Sequence, residues 1–128
     1  TRPWQHVLEP ISGYLVLAQE LYTNGHNFAE GWNFGPKEED CKPVHWILDK
    51  MAAKWSNGAS WKLDDNNNPH EAVFLKLDCS KAANRLKWFP KWNLDYTLQS
   101  IIEWQKLFLN GGDVKAQCIK EIKKYTEK

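Results

Sequence analysis

Apolar residues recur at the three- and four-residue spacing of an α-helix in four segments, and this spacing constrains the fold more than any other feature of the sequence. The first segment follows Pro10, whose missing N–H suits a first helical turn, and it ends at Asn24 and Gly25. The second follows Pro43 and ends at Gly58. We therefore predict a helix-dominated fold. The apolar residues of the first helix are Ile11, Tyr14, Leu15, Ala18, Leu21 and Tyr22.

Two further helical segments are each preceded by a residue that can cap a helix. Asn93 is predicted to cap the third helix, because its side-chain oxygen can accept from the free N–H groups of a first turn. The fourth helix is predicted to run from Asp113. Ser80 is predicted to cap a shorter helix that ends at Leu86. The third helix is predicted to present one apolar face, and the fourth to turn its apolar residues inward. These residues are Leu94, Leu98, Ile101, Ile102 and Phe108 in the third, and Val114, Cys118, Ile122 and Tyr125 in the fourth.

Three short segments favour extended chain. Residues 31–35 (GWNFG) are predicted to form a short buried strand between glycines, residues 59–64 (ASWKLD) alternate like a strand, and residues 75–78 are expected to be extended. No repeat or low-complexity linker divides the chain, so residues 1–128 are expected to form one domain. The predicted fold class is α/β and helix-dominated, with four to five helices and a minor sheet of short strands.

The bulk composition excludes some classes of partner. A net charge of +1 gives no electrostatic basis for binding nucleic acid or an anionic membrane. The sequence has no apolar run of membrane-spanning length and no signal-peptide pattern. Its three cysteines are widely spaced, which favours reduced thiols in a cytoplasmic protein over a disulfide framework or a zinc site. Its eight tryptophans can pack in the core or line a ligand cleft.

The sequence contains no motif for a self-sufficient active site. It lacks the glycine-rich phosphate loops GxGxxG and GxxxxGK[ST], and it lacks the GxSxG motif of serine hydrolases. No metal site is predicted, because no pair of its four histidines has the spacing of metal ligands. These are His6, His26, His45 and His70.

Two segments carry more chemically distinctive side chains than a fold requires: RPWQHVLEP at residues 2–10 and PHEAVFLKLDCSKA at residues 69–82. The Arg2 guanidinium is a fork of donors that matches a phosphate, although a surface salt bridge would use it equally well. His70 and Glu71 follow an asparagine-rich loop, where ligand-contacting residues often lie. A turn or helix-cap pair is the alternative interpretation for these two.

These segments, in this order, resemble the C-terminal part of the extended short-chain dehydrogenase/reductase enzymes that act on nucleotide sugars, the NAD-dependent epimerase/dehydratase family. The family pattern is an Arg-aromatic-x-His-Val start, an N-[FL]-G strand and a D-x-S-K-A helix followed by L-x-W-x-P. The matching stretches here are RPWQHVLEP, GWNFGP and LKLDCSKAANRLKWFPKW, and the resemblance covers nearly the whole chain. HEA before LKLDCSKA, together with W-x-P-x-W-x-L, resembles the members that dehydrate CDP-glucose.

The resemblance implies an NAD-dependent lyase. Such an enzyme oxidises C4 of CDP-glucose, eliminates water across C5 and C6, and returns the hydride to C6. The product, CDP-4-dehydro-6-deoxyglucose, is a precursor of dideoxy sugars in bacterial surface polysaccharides such as the O-antigen. The NAD-binding Rossmann half and the catalytic Tyr-x-x-x-Lys pair of the family belong upstream of the stretches matched here.

This chain is therefore expected to be a substrate-binding lobe without a cofactor of its own, inactive alone. Its start at Thr1 instead of Met likewise indicates a piece of a longer chain. In the parent enzyme the lobe is expected to pack against the missing Rossmann half. Separated from that half, it is expected to expose an apolar patch and to form a homo-oligomer.

Four residues are carried over as substrate-binding candidates. The resemblance implies that Arg2 contacts the nucleotide diphosphate and that Trp4 lines the substrate cleft. Related epimerases carry a second arginine before the D-x-S-K-A helix, where this chain has NNNPHEA. His70 is expected to donate to the phosphate instead, unless the phosphate is held by fewer contacts. Glu71 is expected to orient His70 or to meet the sugar or the base.

Two other functions stay open from the sequence. The lobe could belong to another nucleotide-sugar enzyme, an epimerase or a decarboxylase, because the residues that decide the chemistry lie mostly upstream. The chain could also be a stand-alone tryptophan-rich module for a sugar or a peptide, since aromatic faces stack on sugar rings. Titration with CDP-glucose, simple glycans and peptides would distinguish these functions.

Overall fold

Four α-helices form most of the regular structure of residues 1–63 and 74–127, which are the residues described by the computed structural model of the chain. In chain order they are α1 (Leu8–Asn24), α2 (Val44–Trp55), α3 (Leu94–Leu109) and α4 (Val114–Thr126). Short 3-10 turns follow α1 at Gly25–Phe28 and precede α2 at Glu38–Asp40, and a π-helical turn spans Ala82–Leu86. Within the described ranges, no helix has the length and hydropathy needed to span a bilayer.

The sheet is a ribbon of two strands, β1 (Arg2–Pro3) and β2 (Cys41–Lys42), which pair antiparallel. Arg2 lies opposite Lys42, and Pro3 lies opposite Cys41. The helix-dominated α/β class with a minor sheet is therefore confirmed.

The predicted positions of the strands are wrong. Residues 31–35 and 59–63 form no strand, and residue 64 lies outside the described residues. Phe34 is buried by ring packing instead of strand pairing, since its ring lies edge-on to Trp88 and directly over Gly13 of α1. A Cβ at position 13 would overlap the Phe34 ring, so the close approach of α1 to this segment requires glycine. Residues 59–63 are exposed, and the Trp61 indole donates to Asp49 of α2.

One of the two predicted helix caps is confirmed. The Asn93 Oδ1 atom accepts from the N–H of Tyr96 at 2.9 Å. The Asp113 Oδ1 atom also accepts from the N–H of Ala116 at 2.9 Å, at the predicted start of the fourth helix. Ser80 does not cap the turn that ends at Leu86. Its own N–H and hydroxyl instead donate to the Asp78 carboxylate, because a carboxylate two residues upstream is the stronger acceptor.

Two clusters of buried apolar residues lie in the core. The first joins α1 to the segments around residues 28–34 and 82–88, and the second joins α2, α3 and the opening segment. The buried residues are Phe34, Ala82, Leu86 and Trp88 in the first cluster, and Ile47, Leu94 and Leu98 in the second.

The apolar faces predicted for α3 and α4 are only partly buried. Ile101 and Phe108 of α3 are exposed, because the buried row follows Leu94, Leu98 and Ile102 and leaves the neighbouring row in solvent. In α4, Tyr125 is buried, whereas Cys118 and Ile122 are exposed. The prediction that these two residues point inward is wrong, since α4 is anchored at its last turn.

Helix α1 turns its apolar stripe to solvent. Glu9 and Gly13 are its buried residues, whereas Ile11, Tyr14 and Leu15 are 42–67% exposed. A helix that is apolar on its solvent face as well as toward the core is typical of a helix covered on both sides. The described part of the chain provides a cover for one side.

Candidate functional site

Arg2 lies in β1 at the edge of the ribbon, where it is half-buried. Its Nη1 atom donates to the Thr1 carbonyl at 3.1 Å. The N–H of Leu75 donates to the same carbonyl, so the segment after residue 73 borders the opening residue. The structure thereby gives Arg2 a fixed backbone position within the ribbon.

Trp4 connects the ribbon to the second core cluster. Its indole Nε1 donates to the Lys42 carbonyl at 2.8 Å, and its ring packs against Ile47, Leu94 and Leu98. This position makes Trp4 a support beneath the Arg2 strand. The role of Trp4 in lining a substrate cleft stays a prediction.

The next two residues of the opening segment, Gln5 and His6, form hydrogen bonds within the protein. The Gln5 Nε2 atom donates to the Phe34 carbonyl at 2.8 Å. His6 is buried against Trp92 with their rings edge to face, and its Nδ1 accepts from the N–H of Leu8. Burial lowers the pKa of His6, and the carboxylates of Glu121 and Glu9 oppose that shift. The Gln5 amide N–H and the His6 Nδ1 atom both bond to the backbone, so these residues hold the segment in place.

Glu9 is the centre of a polar network that sequence reasoning missed. Its side chain is fully buried, and its carboxylate accepts from the backbone N–H groups of Lys91 and Trp92 and from the Tyr125 hydroxyl, at 2.6–3.1 Å. Burial and the hydrogen bond to Glu9 raise the pKa of Tyr125. Ser12 extends the network, because it contacts the Tyr125 hydroxyl and accepts from the Trp88 indole. An acidic residue in a first helical turn is common on protein surfaces, so the sequence carried no signal of this burial.

The second distinctive segment is only partly described. His70 and Glu71 lie in residues 64–73, outside the described residues, so their predicted roles have no structural test. Beyond them, Lys76 forms an ion pair with Glu38. This contact joins the segment to the turn before β2, next to the ribbon that carries Arg2.

The tryptophans lie mainly in structural positions. All eight are among the described residues, and Trp61 is the exposed one, at 37%. Five of the indoles donate to internal acceptors, which is the expected arrangement for packed tryptophan. The five are Trp4, Trp32, Trp61, Trp88 and Trp104. This arrangement favours core packing over a row of stacking platforms.

An apolar groove of about 570 Å³ lies between α1, α4 and the loop at residues 87–91. Its walls include Ile11 and Leu15 of α1, Phe89 of the loop and Ile122 of α4. The groove continues the exposed apolar stripe of α1. In the described ranges, no group of three or more His, Cys, Asp or Glu side chains is arranged to hold a metal ion.

The sequence was compared with protein-family models and with curated proteins, and a curated protein matches. No protein-family model matches the sequence. The chain is 56% identical over 124 residues, which is 97% of its length, to CDP-glucose 4,6-dehydratase of Salmonella typhimurium. The match covers the C-terminal 34% of that protein, so the chain spans about a third of the length of the curated relative it matches. The resemblance to the C-terminal part of this dehydratase is confirmed.

Proposed function

We propose that this chain is the nucleotide-sugar-binding part of an NAD-dependent 4,6-dehydratase that converts CDP-glucose to CDP-4-dehydro-6-deoxyglucose. The observation that carries the proposal is the 56% identity, which extends over nearly the whole chain. We assign the parent enzyme to the cytoplasm, where reduced thiols are the norm and where the three free cysteines of this chain would persist.

Arg2 is the residue that we assign to the diphosphate. A guanidinium donates two parallel hydrogen bonds to a phosphate, and it stays charged at every physiological pH. The support beneath it is rigid, because Trp4 fixes β1 to β2 through the Lys42 carbonyl. We also assign substrate contacts to Trp4, His70 and Glu71, with His70 donating to a phosphate and Glu71 orienting it or meeting the sugar.

NAD belongs, in this proposal, to the part of the parent enzyme that precedes this chain. A dinucleotide is bound where a parallel strand, a glycine-rich turn and a helix meet. The described residues do not fit this requirement, since their sheet is an antiparallel ribbon of two-residue strands. NAD would supply the hydride acceptor of the reaction, and this lobe would bind and orient the sugar nucleotide.

The exposed stripe of α1 is proposed to be the contact with the N-terminal two thirds of the parent enzyme. Ile11, Tyr14, Leu15 and Tyr22 form an uncharged face on a helix whose other face is already buried. About two thirds of the matched relative lies outside the matched region. In the isolated chain, the same face is expected to bind a second copy.

The test joins this chain to the N-terminal two thirds of a CDP-glucose 4,6-dehydratase. The joined protein is expected to form a 4-keto sugar from CDP-glucose, and the isolated chain is expected to form none. Turnover by the isolated chain would contradict its assignment as a binding lobe. A joined protein that ignores CDP-glucose but converts another nucleotide sugar would identify a different enzyme of the family. Binding of simple glycans by the isolated chain, without a response to CDP-glucose, would favour the stand-alone module.

A further inference from the structure

The two-stranded ribbon places two cations side by side. Arg2 of β1 and Lys42 of β2 are paired residues in antiparallel strands. Directly opposed residues project from the same face of such a pair, with Cβ atoms about 4.5–5.5 Å apart. The register therefore brings a guanidinium stem and an ammonium stem together on one face of the ribbon.

Like charges at opposed positions destabilise a strand pair unless negative charge compensates them. Among residues 1–63 and 74–127, no carboxylate lies within ion-pair distance of Lys42. Two of the three acids just before it have other partners: Glu38 pairs with Lys76, and Asp40 accepts from the N–H of Leu94. The Lys42 ammonium instead lies 5.6 Å from the centre of the Trp46 ring.

We propose that Lys42 is a second cation for the diphosphate and acts together with Arg2. This inference rests on the proposed function and names a binding residue for the same substrate. A diphosphate carries negative charge on two neighbouring phosphates, which matches one planar fork and one point charge at neighbouring positions. Binding of the diphosphate between these two positions places negative charge beside the Lys42 ammonium, which none of the described carboxylates does.

The surroundings hold Lys42 in position for this role. Its carbonyl accepts the Trp4 indole N–H at 2.8 Å, and its strand leads directly into α2. Lys50, one turn after Trp46 in α2, lies 5.4 Å from the same ring centre. Lys50 has no partner position on the ribbon, so it provides a matched control with the same charge and the same aromatic neighbour.

The experiment uses the joined protein described above and measures competitive inhibition of CDP-glucose turnover by CDP and by cytidine. Lys42→Gln is expected to raise the inhibition constant of CDP about 10- to 100-fold, the usual effect of losing one charge-assisted hydrogen bond. Cytidine has no phosphate, so its inhibition constant is expected to change less than about twofold. Lys42→Arg keeps the charge and is expected to stay within about threefold of the unsubstituted protein for CDP.

The controls separate this inference from the proposed function. Lys50→Gln is expected to change the inhibition constant of CDP less than about twofold. An equal loss in Lys42→Gln and Lys50→Gln would indicate a general field of positive charge and would overturn the inference. A loss in Arg2→Gln or His70→Gln, with none in Lys42→Gln, would also overturn it and leave the proposed function in place. Failure of the unsubstituted protein to bind either CDP or CDP-glucose would overturn the proposed function itself.

Discussion

Helices α1 and α3 have nearly the same length, 17 and 16 residues, and both carry an apolar stripe in the sequence, yet they use it in opposite ways. In α3 the stripe is the core: Leu94, Leu98 and Ile102 are 2–4% exposed. In α1 the stripe faces solvent, with Leu15 67% exposed, while the buried face is centred on Glu9. Helix α3 is attached by its apolar stripe, whereas α1 is attached by a buried carboxylate and by the packing of Val16 and Leu17 against the first cluster.

This difference indicates what each helix does for the molecule. The apolar side chains of α3 complete a core within the 128 residues. The apolar side chains of α1 remain available to a surface that the described residues do not provide, and in our proposal that surface is the N-terminal part of the parent enzyme. Periodicity in a sequence indicates that an apolar stripe needs a cover, but it does not indicate which part of a protein supplies that cover.

The largest expected effect is at the polar attachment of α1. Glu9→Ala removes the acceptor of the Lys91 and Trp92 N–H groups and leaves the Tyr125 hydroxyl with its contact to Ser12 alone. We expect the free energy of unfolding to fall by about 4 kcal/mol or more, measured by urea denaturation. Glu20→Ala on the same helix breaks only an exposed bond to Asn24 and is expected to cost less than about 0.5 kcal/mol. Equal effects of the two substitutions would contradict the network.

Next in size is a matched pair of leucines. Leu98→Ala in α3 opens a cavity in the second cluster and is expected to cost about 3 kcal/mol of unfolding free energy. Leu15→Ala in α1 removes an exposed side chain and is expected to cost less than about 0.5 kcal/mol in the isolated chain. In the joined protein the cost of Leu15→Ala is expected to rise toward that of Leu98→Ala. An unchanged cost there would mean that the N-terminal part does not cover α1.

A smaller effect is expected on association of the isolated chain. Leu15→Gln puts a polar group in the middle of the exposed stripe of α1, where burial against a second copy would cost desolvation. Self-association, measured by sedimentation equilibrium, is expected to weaken by about tenfold. Ile119→Gln, on the outer side of α4 and equally apolar, is the control and is expected to leave association unchanged. A dimer that is unaffected by Leu15→Gln but dissociates in the Ile119→Gln variant would place the interface on α4.

The smallest expected effect is a pH dependence at His6. Burial lowers the pKa of His6, so the folded chain binds its proton more weakly than the unfolded chain does. Stability is therefore full above the ordinary value of 6.5 and declines as the pH falls below it, by less than about 1.4 kcal/mol for each pH unit. Protonation at Nδ1 would also remove the acceptor of the Leu8 N–H. The unfolding free energies of the unsubstituted protein and of His6→Gln are measured from pH 7.5 to 5.5. The decline due to His6 is expected in the unsubstituted protein and not in His6→Gln.

Local features were predictable from the sequence, and contacts between distant segments were not. The Asn93 cap and the start of the fourth helix near Asp113 were predicted because both depend on neighbouring residues. The strands were misplaced because the observed ribbon has two residues a side, too few for an alternating pattern. Phe34 is buried through Gly13, a residue 21 positions away that no period connects to it.

The candidate site followed the same division. The chemistry of Arg2 was evident from its type and from the family resemblance. The pairing with Lys42 depends on a strand register that only the fold supplies. His6 and Glu9 belong to the same short motif as Arg2, and nothing in their spacing separates residues that hold the segment from a residue that faces a ligand.

The hydrogen bond between Tyr125 and Glu9 has a consequence for the order in which the protein is made. A ribosome inserts Glu9 116 residues before Tyr125, a delay on the order of ten seconds at ordinary rates of translation. During that time α1 can form, but the Glu9 carboxylate has no phenol to bind. Completion of this lobe is therefore a late event, because the polar attachment of its first helix waits for the last turn of its last helix.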